Sequence, residues 1–578
     1  MKRLIVLGLM LVGIAALLIA PALAASPTDL NRLASWFPES TSVFASLRTD
    51  DAYIQTWDSL IERLKALPDT EDIQTLSQIL DQAVQDGFDE GSFAGNVRPW
   101  LGDVASIGVP SLAGLIDTGS NMENDAPGVL VALSITDRAA AETFFDAALG
   151  TRRKQTEGDF TVYQFRGDGR SRNALALGNE VALIALNDPD ILPTAAPAAP
   201  LSAAPDFTGT LALLPEPDYN ITLYLNLSGF FNAMTGVEGQ FAMMDPNSAI
   251  FALLGAAPSQ AWGFTILNDR SLTIDIAQPF GGAYLKRMEE LGMAVEQPAP
   301  LDPQIAARIP ANAALVIYGN DLGLLINSSL QNLQVQADLM GPASGFSAAD
   351  LRRGLAAARV AVRAATGLDL ETQLIPALSG NYALYAGLTA EAASAESPMA
   401  LMQGGFPAEF GVLTEVTGDG VAAQIVTGLQ DVVEAAAPEN VTWEAVTLGD
   451  ASGIQLTIEP DRSMDLPFPV ELMLLATDNL LFFGTPGAAQ ASLAADGGLR
   501  ADATFQAAEG LIVPSASQVW YMSGESLLPL AILGGMNGSQ RDADNLRAAL
   551  EALLESGTIS VSTAADVNYI RAVWTLPE

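Results

Sequence analysis

The stretch TRRKQTEGDFTVYQFRGDGRSR, Thr151 to Arg172, holds six of the chain's 27 Lys and Arg residues: Arg152, Arg153, Lys154, Arg166, Arg170 and Arg172. Its three acids leave it about +3, in a chain whose formal net charge is −40. A guanidinium offers a planar fork of N–H donors that fits carboxylate or phosphate oxygens two at a time, so a cluster of Arg points to recognition of oxyanions. Folded as a strand pair with flanking loops, the segment brings these cations toward one sheet edge. The corresponding segment of the second half, NVTWEAVTLGDASGIQLTIEPDRSMD (Asn440 to Asp465), carries five acids and one Arg. The charge is inverted between the two. The expectation is a basic edge that meets an acidic surface on the second half, on another copy or on a partner. The plainer alternative is a solvated loop that offsets local charge.

Other chemistry is bounded by what the sequence lacks. With no His and no Cys, Ser-His-Asp and Cys-His nucleophiles and the common zinc sites are excluded. The chain has four Lys, none in an S-x-x-K arrangement, and neither G-x-S-x-G nor a P-loop occurs. The 67 Asp and Glu are too many to nominate an acid–base pair, although a glycosidase needs only two carboxylates. Gly418 and Gly420 in TGDGVAAQ imitate a dinucleotide loop. The corresponding turn of the first half, TDRAAAE, has no glycine, which favours an ordinary strand-to-helix turn. RDADN (Arg541 to Asn545) lacks the glycine and glutamate spacing of a calcium loop. Arg352, Arg359 and Arg363 fall on one helical face, which suits contact with neighbouring acids. No catalytic, cofactor or metal residue is therefore assigned. Phe230 to Pro258, with Phe231, Met243 and Met244, is rich enough in Phe and Met for core packing or an adaptable apolar groove.

The N-terminus predicts a destination. Lys2 and Arg3 precede an apolar run from Leu4 to Ala20, and Ala22-Leu23-Ala24 offers small residues to a signal peptidase. Residues 1–24 are expected to be a cleaved signal peptide or, uncut, an N-terminal anchor. An exported chain without disulfides relies on its packed core. The negative charge repels nucleic acid and anionic membrane surfaces at long range, so no nucleic-acid partner is expected, and membrane contact only through an uncleaved N-terminal segment.

The elements that must position these residues are written twice. FPESTSVFASLRTDD (Phe37 to Asp51) is echoed by IPANAALVIYGNDLG (Ile309 to Gly323): apolar residue, Pro, polar turn, strand, then a polar pair ending in Asp. Five further blocks follow in the same order, down to the closing hairpins WGFTILNDRSLTIDI and GTISVSTAADVNYIRAVWTL. The expected organisation is a tandem duplication over 26–298 and 301–578, joined by QPAPLDP. Period-two strands such as Ile221 to Leu225, turn signals at Gly178-Asn179 and Thr477 to Asn479, and intervening amphipathic helices predict an α+β fold. Each half should be a mostly antiparallel sheet with packed helices.

The opening Pro-strand-Asp block, the G-[FL]-D motif and Pro99-Trp100-Leu101-Gly102-Asp103 before a strand resemble the bacterial DUF3352 family. The likeness runs over nearly the whole chain after the leader. The second half departs from it, with Ala377 in place of Trp100 and Asn381 in place of Asp103. The resemblance implies an exported or membrane-anchored protein of unassigned function and supplies no catalytic residues. The expected function is non-enzymatic: binding or structure in the cell envelope, with an envelope protein or a hydrophobic small molecule as partner. A carrier of a lipid or other hydrophobic ligand and a carboxylate-dependent hydrolase are the alternatives.

Overall fold

The computed structural model describes residues 30–65, 73–87, 91–110, 127–149, 153–166, 172–216, 218–235, 253–267, 270–280, 282–293, 297–340, 348–394, 406–436, 440–460, 468–494, 496–529, 540–564 and 567–578. The leader, Arg152, Arg170, Met243 and Met244 lie outside them. The chain divides into two compact units, the first of Met1–Arg287 with Asp566–Asn568 and the second of Met288–Ala565 with Tyr569–Glu578. Both are α+β, built on an antiparallel sheet with helices, as the strand and helix patterns predict.

The strands of the first unit are β1 (Val43–Arg48), β2 (Leu101–Val109), β3 (Val129–Ile135), β4 (Lys154–Glu157), β5 (Phe160–Arg166), β6 (Arg172–Leu177), β7 (Val181–Leu186), β8 (Ile221–Leu225), β9 (Gln260–Leu267) and β10 (Ser271–Pro279). Their antiparallel pairings give the order β10-β9-β8-β1-β2-β3-β7-β6-β5-β4. The central strands are covered on both faces, so β3 reads VLVALSI with almost every residue buried. Val131 and Leu133 enter one core with Trp100, Phe144, Phe145 and Tyr163. Leu130 and Ala132 enter the other, with Phe37, Phe44, Phe207 and Tyr224. The helix Arg138–Leu149 closes the first of these cores. Asp137 starts it by accepting the N–H groups of Ala139 and Ala140 at 2.9 and 3.0 Å, the N-cap role of a short acidic side chain.

The second unit contains β11 (Ala313–Asn320), β12 (Asn381–Leu388), β13 (Ala408–Glu415), β14 (Val441–Leu448), β15 (Ala451–Ile458), β16 (Val470–Ala476), β17 (Leu480–Gly484), β18 (Gln518–Ser523), β19 (Ser556–Ala564) and β20 (Val567–Thr575). Here the order is β20-β19-β18-β11-β12-β13-β17-β16-β15-β14. It is the order of the first unit, strand for strand. One core gathers Val316, Tyr318, Leu413, Phe482, Phe505 and Tyr521. On the opposite face the helix Val421–Ala436 lies over Ile454, Leu474 and Ala476.

Local details recur as well. Leu201 donates its N–H to the carbonyl of Phe37, and Leu499 to that of Ile309, each at 2.7 Å. Thr136 donates to the carbonyl of Trp100, and Thr417 to that of Ala377, each at 2.8 Å. The β4–β5 and β14–β15 hairpins both turn on a Gly-Asp pair. Gly158 (φ 56°) and Gly449 (φ 62°) supply the left-handed residue that a tight hairpin requires. No helix among the described residues is long and apolar enough to cross a membrane.

Candidate functional site

The basic segment forms β4, β5 and β6 at one edge of the first unit's sheet. Strand alternation sends its cations to two faces. Lys154 stands opposite Tyr163, on the face covered by the helix Arg138–Leu149. Glu142 and Asp146 are four residues apart, so one face of that helix presents both carboxylates. The Lys154 Nζ reaches Glu142 Oε1 at 2.6 Å and Asp146 Oδ1 at 2.9 Å, and lies 5.4 Å from the centre of the Tyr163 ring. The Tyr163 hydroxyl donates to Asp146 at 2.8 Å. The hydrogen bond to Glu142, reinforced by Asp146 and Tyr163, holds the ammonium above its ordinary range. Burial acts to raise Asp146, but the bonds from Lys154 and Tyr163 outweigh it and leave the carboxyl below its ordinary value. Burial first, and Asp146 second, push the Tyr163 phenol up to about 12. Lys154 is thus a structural cation, spent within its own unit.

Arg153, Arg166 and Arg172 remain exposed. Arg166 and Arg172 are direct cross-strand partners, and Gln164 is paired with Ala174 two rows inward, on the same face. Gln164 donates its backbone N–H to the carbonyl of Arg153 at 3.3 Å, which places Arg153 opposite Gln164. The structure therefore brings three of the six basic residues to one corner and takes Lys154 away from it.

The corresponding corner of the second unit is acidic at matching register positions. Ala445 stands opposite Ile454 as Lys154 does opposite Tyr163, so Glu444, opposite Gln455, takes the place of Arg153. On β16, Glu471 opposite Thr457 takes the place of Arg172 opposite Arg166. Glu444 and Glu471 are exposed.

A second surface was not singled out from sequence. On β19 the buried side chains are Ser556, Thr558, Ser560 and Ser562, whereas Ile559 is 40% exposed. The polarity of an ordinary strand is inverted. The neighbours also turn apolar side chains outward: Trp520 on β18 is 48% exposed, Ile570 and Trp574 on β20 are 39% and 43% exposed, and Leu315 on β11 is 46% exposed, although β18 and β11 bury Val519, Tyr521, Val316 and Tyr318. Ile317, Trp520 and Ile559 form one cross-strand row. In the first unit, β10 likewise buries Ser271, Thr273 and Asp275 and turns Ile274 outward. Two of the inward hydroxyls are used: Ser562 Oγ donates to the carbonyl of Ser515 at 3.0 Å, and Ser560 Oγ accepts from the N–H of Val513 at 3.2 Å, while the buried Thr558 hydroxyl has no partner among the described residues. Alternation in β19 was readable, but the buried parity could not be assigned without the neighbouring layer.

The remaining motifs take structural places. Gly418 and Gly420 adopt φ of 99° and 75° at the turn before the helix Val421–Ala436. Arg359 is ion-paired with Glu371. Phe231 packs edge-to-face with Phe230 at 5.2 Å in the helix Leu227–Thr235.

Trp100 and Asp103, the residues that carried the family likeness, sit at the entry to β2. Trp100 packs on Phe144 and Phe145, and Asp103 is ion-paired with Arg32. The profile of the family described as "Protein of unknown function (DUF3352)" matches residues 3–404. The chain belongs to the DUF3352 family. The match ends within the second unit, short of the near-complete coverage expected from sequence, and the Ala377 and Asn381 departures lie inside it. No curated protein and no solved structure matches the chain.

Proposed function

We propose that this DUF3352 protein is an exported, non-enzymatic binding protein of the cell envelope, and that it engages an apolar partner or ligand through the outer faces of its sheets. The single observation that carries this reading is the outward apolar surface of the β18–β20 region, where Trp520, Ile559 and Trp574 are exposed while β19 buries Ser556, Thr558, Ser560 and Ser562. Solvating two half-exposed Trp rings and their aliphatic neighbours costs free energy that burial against an apolar surface recovers, about 25 cal/mol per Å². A lipid-like ligand and an apolar face of an envelope protein both satisfy that chemistry.

Export is supported by the leader-like sequence of residues 1–24, with a basic start, an apolar run and Ala22-Leu23-Ala24. We read the two units as one α+β domain duplicated in tandem. That reading is supported by the identical strand order, the paired carbonyl bonds of Phe37 and Ile309, and the shared Gly-Asp hairpin turns. On that reading the halves have diverged in charge, with Arg153 and Arg172 of the first answered by Glu444 and Glu471 of the second.

The test is native mass spectrometry of the protein purified gently from its own envelope, alongside a Trp520→Glu, Ile559→Glu variant. A co-purifying lipid or protein that the variant loses supports the reading. Identical ligand-free spectra for both proteins, repeated under detergent-free conditions, overturn it.

A further inference from the structure

We propose that Arg153, Gln164, Arg166 and Arg172 form a binding site for a phosphate-class oxyanion at the β4–β6 corner of the first unit. The inference is independent of the apolar surface proposed above. It rests on three observations.

The first is register. Arg166 and Arg172 are directly opposed across an antiparallel pair, where Cβ atoms stand about 5 Å apart and like charges repel. Such an arrangement is tolerated when the long side chains splay into water or when an anion bridges them. The second is the absence of internal compensation. Among the described residues none of Arg153, Arg166 and Arg172 makes an ion pair or a side-chain hydrogen bond, in a chain with 67 Asp and Glu. Lys154, in the same segment, shows what compensation looks like here, with carboxylates at 2.6 and 2.9 Å. The third is the second unit, which keeps Gln455 where the first has Gln164 but carries Glu444 and Glu471 where the first has Arg153 and Arg172. The sheet geometry therefore requires no cation at these positions.

A tetrahedral phosphate group, whether free phosphate or a phosphodiester, suits the corner. Two guanidinium forks on adjacent strands can each present paired N–H groups to different oxygens. Arg153 beside the edge strand and the Gln164 carboxamide on β5, two rows inward on the same face, add donors. Inorganic phosphate carries about −1.5 to −2 near pH 7 against −1 for a carboxylate, so it gains more from three cations on one face of the corner.

The same chemistry is offered by free phosphate and by a phospholipid headgroup, and the experiment separates them. Thermal unfolding of the full chain is followed at low ionic strength in increasing inorganic phosphate, with sodium chloride matched for ionic strength. Cosedimentation is then measured with vesicles of phosphatidylglycerol and of phosphatidylcholine. The variants are R166Q/R172Q and, as a control on the second unit, R547Q. The native chain and R547Q should gain thermal stability from phosphate beyond that from chloride. R166Q/R172Q should bind phosphate at least tenfold more weakly, while unfolding in phosphate-free buffer at the native temperature or above, because the repulsion has been removed. Phosphate protection without Arg-dependent cosedimentation assigns the site to a small anion. Arg-dependent sedimentation with phosphatidylglycerol assigns it to a headgroup. All variants carry the same N-terminus, so a difference between them reports the corner and not the leader. Equal phosphate protection of native and R166Q/R172Q proteins, or no protection of either together with no Arg-dependent sedimentation, overturns the proposal.

Discussion

Tyr219 donates its hydroxyl to Asp275 at 2.7 Å, and it does so across the bare backbone of Gly263. Asp275 stands opposite Gly263 on the β9–β10 ladder. A Cβ at Gly263 would lie 2.2 Å from the Tyr219 ring, so glycine is required there by contact rather than by φ. Both Tyr219 and Asp275 are almost fully buried, and the same phenol accepts the N–H of Glu216 at 3.0 Å. Gly263→Ala is expected to displace the ring and cost about 1–3 kcal/mol. Tyr219→Phe, which keeps the shape and removes the donor, should cost about 1–3 kcal/mol through loss of the buried bond. Urea unfolding of both variants checks this; wild-type stability for either removes the assigned role of the contact.

Trp100 should be a stability residue with no role in binding. It is 2% exposed and packs at a tilt against Phe144 and Phe145 with ring centres 5.3 Å away. Trp100→Ala is expected to cost about 3–5 kcal/mol. The second unit solves the same position with Ala377, packed with Val416, Ala422 and Val426 under a helix that carries no aromatic ring at the contact. Ala377→Trp should therefore overpack and destabilise. Denaturation of the two single variants tests whether the two cores are built to different volumes.

The Lys154 cluster predicts a pH dependence whose sign follows from the shifts. The Asp146 carboxyl is held below its ordinary value, so its contribution is present above about pH 4 and is lost as pH falls through the folded value. The Lys154 ammonium is held above its ordinary range, so its contribution is complete below about pH 10 and is lost as pH rises through the folded value. Between those limits the cluster is fully formed. Lys154→Met should cost about 1–2 kcal/mol at pH 7, given its partial exposure. The cost should shrink at pH 3. A variant deficit that is constant from pH 3 to 7 would contradict the ion-pair account.

Trp520 is expected to report binding without holding up the fold. Its ring is 48% exposed while Val519 and Tyr521 on either side are buried. Trp520→Glu should change stability by no more than about 0.5 kcal/mol. In the native protein an apolar probe should quench or blue-shift the emission of the exposed Trp residues, and the variant should lose most of that response. Unchanged probe binding in the variant would move the apolar contact elsewhere.

Much of the architecture was legible from residue order. Proline before a strand, glycine at hairpins and aspartate at helix starts are local, short-range instructions, and they read the same way wherever the chain carries them. The α+β character follows from period-two strands interleaved with amphipathic helices. The site was legible only in part. The basic segment was visible as composition, yet Lys154 and Arg153 are adjacent in sequence and face opposite sides of the sheet. Which of them is spent on Glu142 and Asp146 depends on where the helix Arg138–Leu149 lands.

The sequence by itself determined the strand and helix alphabet, the order of elements in the two halves, the family and the chemistry that lacks His and Cys. Tertiary structure alone decided which parity of each strand is buried. A period-two pattern is symmetric to exchange of its faces until a neighbouring layer covers one of them. That is why SGTISVSTA in β19 reads as alternating but does not say that its serines go in and its isoleucine out. The same physics placed Arg166 opposite Arg172: register is fixed by the whole ladder, not by either residue.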